Sequence, residues 1–403
     1  MSNYSFSTHA NRRGSRFNPG SRPNHFGGRP QHKGAYIHPD KFVNTATAHA
    51  PVADFVPQHA FSDFALSARL HSNIAAHGYT TPTAIQDDAI EPILNGKDLI
   101  GLADTGSGKT AAFIIPIIER LHANRRATAL IIAPTRELAM QIDDEFKAFA
   151  VHLQLYSTIC VGGANMQRQI NGLRRGPAVV IGTPGRLRDL VEQGALRLSG
   201  TETLVLDEAD RMLDMGFSKD LHFLVDLLPK TRQSLCFSAT LTPDIERLVR
   251  QLLTDPITVS VKTSEGSDHV EQNVIKVDSK EQKMEVLSNL LRQPDFAKVL
   301  IFGQTKRGVQ RLAENLTKQG VSATAIHGNK SLSQRIRALQ SFKDNGVQVL
   351  VATDVAARGL DIPHVTHVIN YDQPNSYEDY IHRIGRTGRA GNVGNALTFV
   401  TPN

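Results

Sequence analysis

The octapeptide Ala103-Asp104-Thr105-Gly106-Ser107-Gly108-Lys109-Thr110 constrains this chain more than any other stretch. Before it lies an apolar run, Leu99-Ile100-Gly101-Leu102. After it, Ala111, Phe113, Ile114, Ile117 and Ile118 recur at helical spacing. A strand, a two-glycine loop and a helix in that order aim backbone N–H groups at one point before the helix N-terminus, where amides and helix dipole stabilise a polyphosphate. Lys109 is placed to reach the outer phosphates as a point charge, and the Thr110 hydroxyl to ligate magnesium. Ala103 stands where such loops usually begin with glycine, and a small residue still fits. The bland alternative is a Gly/Ser turn that binds nothing, and the flanking strand and helix weigh against it. The loop therefore specifies an α/β setting and nucleotide binding, and no more.

Apolar strand-like runs recur beyond it, separated by helical stretches: 129–132, 178–181, 204–206 and 235–237, then 299–302, 323–326, 347–351, 368–369 and 396–399. Such alternation predicts parallel sheets covered by helices on both faces. In these sheets function gathers at the carboxyl ends of the strands. Leu204-Val205-Leu206 delivers Asp207-Glu208-Ala209-Asp210 to that edge. An acid at a buried strand end can coordinate magnesium opposite a phosphate loop, and Glu208 beside it can orient and deprotonate a water for attack on the γ-phosphate. Pro134-Thr135-Arg136, Gly162-Gly163 and Thr183-Pro184-Gly185-Arg186 supply hydroxyls, free amides and arginines suited to gripping phosphates without reading bases. Any one of them alone reads as a capped turn. Upstream, Gln86 carries an amide able to match the adenine N6/N7 edge, with Phe61 as a possible stacking face.

The front of the chain differs in kind. Residues 1–60 are rich in Asn, Ser, Gly, Pro, His and Arg and lack apolar periodicity, so they are expected to stay disordered. Arg12, Arg13, Arg16, Arg22, Arg29, Lys33 and Lys41 face only Asp40 and Asp54 there, so the tail carries +5 of the chain's formal +6. With Tyr4, Phe6, Phe17, Phe26 and Tyr36 interleaved, it suits non-specific contact with a phosphate backbone; the plain alternative is a solubilising leader. An organelle transit peptide is a minor option, which Gly and Pro disfavour by interrupting any amphipathic helix. No run is long enough to span a membrane and no apolar signal core follows Met1, so a soluble, cytoplasmic protein is expected. Cys160 and Cys236 each lie within an apolar run and read as buried, reduced thiols rather than a disulfide or zinc site.

Taken together these motifs resemble the DEAD-box ATP-dependent RNA helicases of superfamily 2, whose name Asp207-Glu208-Ala209-Asp210 spells. The resemblance covers roughly residues 61–400, and His327-Gly328-Asn329-Lys330-Ser331 is similar to the bacterial RhlE-like group. It implies two tandem RecA-like domains, each a parallel β-sheet flanked by helices, with ATP, magnesium and RNA bound across the cleft. The expected boundaries are a tail at 1–60, an ATP-binding domain at 61–262, a linker at 263–269 and a second domain at 270–403.

Carried over by position, the resemblance makes Gln86 the adenine reader. It gives the phosphates to Thr105, Gly106, Ser107, Gly108, Lys109 and Thr110, the metal to Thr110 and Asp207, hydrolysis to Asp207 and Glu208, and the ribose to Asp361. Asp210, Ser238, Thr240 and His382 become the coupling residues, and Arg386 and Arg389 become arginine fingers rather than plain nucleic-acid contacts. Pro134, Arg136, Gly163, Thr183, Gly185, Arg186, His327, Gly328, Arg335, Thr353, Arg358 and Gly359 become RNA contacts. Leu332 stands where relatives commonly have Gln, so one polar RNA contact is expected to be lost. The sequence ends at Asn403, just past the expected last strand, where relatives usually add a helix. The implied enzyme is an RNA-stimulated ATPase that unwinds short duplexes, working as a monomer with ribosomal or RNA-decay proteins as possible partners. An ATP-gated RNA clamp or annealing chaperone is the alternative that the basic tail suggests; a small-molecule P-loop kinase would leave the arginine cluster idle.

Overall fold

The computed structural model describes residues 38–44, 55–104, 106–261, 270–357, 362, 364–388 and 393–401. Most of the expected tail, the linker 263–269, Thr105, Arg358, Gly359, Asp361 and Arg389 lie outside the described residues.

Two parallel sheets organise the chain. The first is built from β1 (Leu99–Ala103), β2 (Ala129–Ile132), β3 (Ser157–Cys160), β4 (Val179–Gly182), β5 (Thr203–Leu206), β6 (Gln233–Ser238) and β7 (Ile257–Val261), in the order β3-β4-β2-β5-β6-β1-β7. The second is built from β8 (Val270–Lys276), β9 (Val299–Phe302), β10 (Ala323–Ile326), β11 (Val349–Ala352), β12 (His367–Asn370) and β13 (Gly394–Val400), in the order β10-β11-β9-β12-β13-β8. Helices cover both faces of each sheet, so central strands such as β2, β5, β9 and β11 are buried along their whole length. That double cover is why they read as unbroken apolar runs.

Strands β3, β7 and β8, which are not among the strands expected from the sequence, are edges. Edge residues alternate or stay half exposed, as in β8, whose side chains turn in and out along Val270, Glu271 and Gln272. A polar edge strand is indistinguishable from loop by composition.

Strand order decides what meets at the carboxyl edge. Strand β6 lies between β1 and β5, with Leu102 paired to Ser238 and Leu206 to Cys236. The phosphate loop after β1, the Ser238-Ala239-Thr240 turn after β6 and the acids after β5 therefore emerge side by side.

Two parts of the stretch read as tail are placed on the domains. The amides of Gln58 and His59 donate to the Asp87 carboxylate at 2.7 and 3.1 Å, so the first domain's ordered frame begins before Phe61. Residues 38–44 lie against the second domain, with Phe42 fully buried. A single aromatic that finds a pocket built hundreds of residues away leaves no local periodicity to detect. No helix among the described residues is long and apolar enough to cross a membrane.

Candidate nucleotide cleft and nucleic-acid edge

The loop after β1 turns through left-handed backbone at Gly106 (φ 91°) and at Gly108 (φ 93°), the residue that caps the Lys109–Ala123 helix. At Gly108 space matters as much as angle: a Cβ would lie 2.5 Å from Gln86 Nε2 and 2.9 Å from Thr83 Oγ1. Those neighbours hold the loop. Gln86 Nε2 donates to the Gly108 carbonyl at 3.1 Å while its Oε1 accepts from the Thr83 amide, and Thr83 Oγ1 donates to the Ser107 carbonyl at 2.8 Å. Ser107 closes the turn by donating from Oγ to the Asp104 carbonyl. Gln86 is thus engaged with the loop through the NH2 end of its amide, while the oxygen end caps its own helix at Thr83.

Lys109 is buried with its Nζ on the Ala103 carbonyl at 2.6 Å, at the mouth of the loop. Opposite it, Asp207 is fully enclosed and its Oδ1 makes no hydrogen bond. Burial pushes its pKa up to about 7, Glu208 adds to that, and Lys109 opposes it. An orphaned, destabilised carboxylate beside a threonine hydroxyl fits a magnesium ion that keeps phosphate and water ligands. Among the described residues no group of three His, Cys, Asp or Glu side chains could cage a metal, so the fit is to that kind of shared site.

Glu208 adopts left-handed backbone (φ 52°, ψ 52°), an unusual setting for a glutamate at the junction of β5 and the Ala209–Asp214 helix. Arg211 Nη1 donates to its Oε2 at 2.8 Å, holding the carboxylate beside Asp207. Asp210 reaches the other way. Its Oδ2 accepts from the Ala239 amide, the Thr240 amide and the Thr240 hydroxyl at 3.0, 3.1 and 3.3 Å, and Ser238 Oγ donates to the Thr240 carbonyl. Burial opposes charge on Asp210, but Arg211 and Lys109 more than offset it and its pKa falls. Asp210, Thr240 and His382 line one cavity of about 250 Å³ with Tyr377, so the second domain meets the acid relay there.

Phe61 departs from its expected role. It is buried in the first domain's core, edge-on to Tyr79 at 6.1 Å and to Phe64 at 6.2 Å. The aromatic face of the cleft belongs instead to Tyr79 and His77, stacked at 5.8 Å with an interplanar angle of 11°. Both line the cavity of about 430 Å³ that holds Lys109, Thr110, Asp207 and Glu208, and Lys343 of the second domain closes its far side. Sequence reasoning missed Tyr79 although it stands next to Gly78, in the turn that precedes Thr83 and Gln86.

Along the adjoining edge, Arg136 opens the Arg136–Phe149 helix behind the Thr135 cap and lies over Gly162 and Gly163. A Cβ on Gly163 would fall 2.2 Å from Arg136 Nη1, so the glycine pair is the floor on which that guanidinium rests. Arg186 bonds the Ala164 carbonyl and Gln169 through Nη1, while its buried Nε makes no hydrogen bond. Thr183, Pro184 and Gly185 turn β4 into the helix that carries Arg186, and Pro134 is buried after β2. From the second domain, Arg335 Nη2 donates to Glu137 Oε2 at 2.7 Å, with Arg335 Nε and Glu137 Oε1 left unbonded. Burial and the neighbouring Arg335 push the Arg136 pKa down, against the pull of Glu137, and Arg186 adds a smaller push in the same direction. Three guanidiniums gathered along one half-buried groove call for an anion.

His327 and Thr353 sit at the ends of neighbouring β10 and β11; His327 Nε2 meets Gln310 Oε1 at 3.0 Å and Gly328 faces Lys306. Leu332 packs on the first domain's core instead of reaching outward. Arg386 is buried with Nε on the His382 carbonyl. Arg383, between them, is a structural residue: its guanidinium grips Asp354 at 2.6 and 2.8 Å, bonds Asn370 and the Asp372 carbonyl, and lies over Phe302.

The DEAD/DEAH box helicase family matches residues 83–248, and the helicase conserved C-terminal domain matches residues 282–391. The ATP-dependent RNA helicase CshA of Limosilactobacillus reuteri is 45% identical over 345 residues, covering 85% of this chain and 69% of that protein. The DEAD-box ATP-dependent RNA helicase CshA of Geobacillus kaustophilus is 44% identical over 346 residues, covering 85% and 73%. Among solved structures, S. cerevisiae Dbp5 bound to RNA and ADP BeF3 superposes with a TM-score of 0.76 at 30% identity, covering 85% of this chain and 90% of that one. A DEAD box protein from the hyperthermophile Methanococcus jannaschii superposes with 0.51 at 37% identity, covering 86% and 94%.

Proposed function

The chain belongs to the DEAD-box ATP-dependent RNA helicases, and on that premise we propose that ATP is held at the ends of β1, β5 and β6 while RNA lies along the arginine edge of both domains. The enzyme is an RNA-dependent ATPase that uses hydrolysis to separate RNA strands locally. The observation that carries the assignment of residues is the adjacency of the Lys109 loop, the Asp207-Glu208 pair and the Asp210–Thr240 relay, with His382 of the other domain in the cavity that Asp210 and Thr240 line.

In this reading Lys109 swings from the Ala103 carbonyl to the outer phosphates, and loop amides hold the rest. Thr110 and Asp207 would hold magnesium, which when bound would neutralise charge on the phosphates. Glu208, steadied by Arg211, orients the water and accepts its proton. Arg386 and Arg389 stabilise the charge that develops on the γ-phosphate. Asp210, hydrogen-bonded to the Thr240 turn and facing His382, passes the state of the hydrolytic site to the second domain. Gln86 senses the base only by exchanging a partner it now gives to the loop; the aromatic face beside the base is Tyr79.

Arg136 and Arg186 grip the RNA backbone from the first domain and Arg335 from the second, with His327, Gly328, Thr353, Arg358 and Gly359 beside it. Contacts of this kind discriminate little between sequences. The stronger superposition on the RNA- and nucleotide-bound yeast protein, despite lower identity, supports a nearly closed placement of the domains. A cleft completed by one chain's own two domains favours a monomer, and the cytoplasm is its natural setting. The test is steady-state ATP hydrolysis with and without single-stranded RNA, on the wild type and on Glu208→Gln. Strong RNA stimulation that vanishes in the variant is expected; hydrolysis indifferent to RNA would overturn the reading.

A further inference from the structure

Residues 38–44 precede the first domain in the chain yet dock on the second. Pro39–Phe42 form a single 3-10 turn, capped by the His38 ring, and present Phe42 inward. Phe42 is fully buried in a small core with Val270, Tyr380, Ile384 and Ala396, its ring 4.7 Å from that of Tyr380. Lys41 adds a cation over the Tyr377 ring at 5.7 Å. Asn44 then pairs antiparallel with Gln272 of β8, exchanging both backbone hydrogen bonds at 3.0 and 2.8 Å. Otherwise this edge of the sheet would expose its backbone groups to solvent.

What Phe42 touches matters more than how deeply it is buried. Tyr380 and Ile384 lie one turn apart on the Tyr377–Ile384 helix, which carries His382 and leads directly into Arg386. Tyr380 is itself fixed by donating its hydroxyl to Gln272, the residue Asn44 pairs with. The helix is also anchored by Arg383 on Asp354. Without Phe42 the Arg383 anchor would stay intact while the packing around Tyr380 and Ile384 loosened, leaving Val270, Ala396 and the Tyr380–Gln272 hydrogen bond to hold that face.

We propose that residues 38–44 are a strap that sets the Tyr377–Ile384 helix, with Phe42 as the positioning residue through which the strap holds His382 and Arg386 in register with the first domain. The strap is also a second connection between the domains. Residues 45–54 join it to the ordered start of the first domain at Phe55, a span of at most ~40 Å when extended. The other connection, after Val261, enters the second domain at Val270, two residues from the Asn44 partner. Both connections reach the second domain at the β8 edge.

The inference rests on the ATPase reading above, and its test keeps the two apart. Two measurements are made on the full chain, its Phe42→Ala variant and its Phe42→Leu variant. Hydrogen exchange should find the Asn44 and Gln272 amides protected in the wild type and released in Phe42→Ala. With ATP and RNA both saturating, kcat should fall roughly tenfold in Phe42→Ala, with the KM for ATP unchanged because the first domain's loop is untouched. Phe42→Leu, which refills most of the pocket, should recover most of the rate.

A merely stabilising plug would lower the folded fraction and move RNA-independent and RNA-stimulated hydrolysis together; that outcome, or unprotected Asn44 in the wild type, overturns the proposal. A wild type whose hydrolysis ignores RNA would sink the functional reading instead, while the exchange result would still report the docking.

Discussion

The two domains share an architecture and divide the chemistry. Both are parallel sheets with helices on each face, and both present strand ends toward the cleft. In the first domain those ends carry groups under electrostatic tension: an orphaned Asp207 oxygen, a glutamate in left-handed backbone, a lysine folded onto a carbonyl. In the second the charge nearest the coupling helix is satisfied, Arg383 saturating Asp354, Asn370 and the Asp372 carbonyl, and the unbonded buried nitrogen belongs to Arg335 at the domain interface. One sheet is prepared for a ligand; the other is prepared to be rigid. A catalytic cleft needs both, because a cation delivered from a loose domain would arrive in no fixed place.

The contrast can be broken at its two extremes. Glu208→Gln removes the proton acceptor without disturbing the phosphate loop, and kcat should fall by about 10²–10⁴ with nucleotide still bound, measured by single-turnover hydrolysis against fluorescent-nucleotide titration. Arg383→Ala should act on the other side of the comparison. It leaves Asp354 with no buried partner and should destabilise the second domain by about 3–5 kcal/mol; a denaturant titration that shows the first domain's transition moving instead would contradict the division of labour.

Between these lies the interface. Arg335→Ala strips Glu137 of its partner and the RNA of a contact, so the RNA concentration for half-maximal stimulation should rise by about ten- to a hundredfold, while hydrolysis without RNA stays as it was. The smallest effect sharpens the relay: Thr240→Val deletes one 3.3 Å hydrogen bond to Asp210, about 1 kcal/mol. It should lower strand separation per ATP hydrolysed more than hydrolysis itself, which a paired unwinding and phosphate-release assay reads directly.

Much of this was legible beforehand, for a physical reason. The phosphate loop needs specific residues at fixed offsets, and a buried central strand needs an apolar run, so both leave marks in a short window of sequence. Edge strands β3, β7 and β8 escaped because half-exposed residues carry no such mark. Phe61 was mistaken for a stacking face because aromatic character alone does not say which way a ring points; Tyr79, on the turn beside the loop, is the one that reaches the cleft. Gln86 was legible as important but not in its partners, since its contacts with Thr83 and Gly108 depend on how two segments pack. Phe42 was wholly illegible: its pocket is made by Val270, Tyr380, Ile384 and Ala396, far away in the chain.

The thiols bear on how such motions can be watched. Cys160 and Cys236 are the chain's only cysteines, both fully enclosed, and burial pushes each pKa up to about 12. At neutral pH neither supplies appreciable thiolate, so neither competes for an electrophilic dye. One cysteine added to an exposed helix of each domain becomes a unique attachment point in an otherwise native chain. The distance between the two dyes then follows the opening and closing of the cleft, molecule by molecule, with no background labelling to subtract.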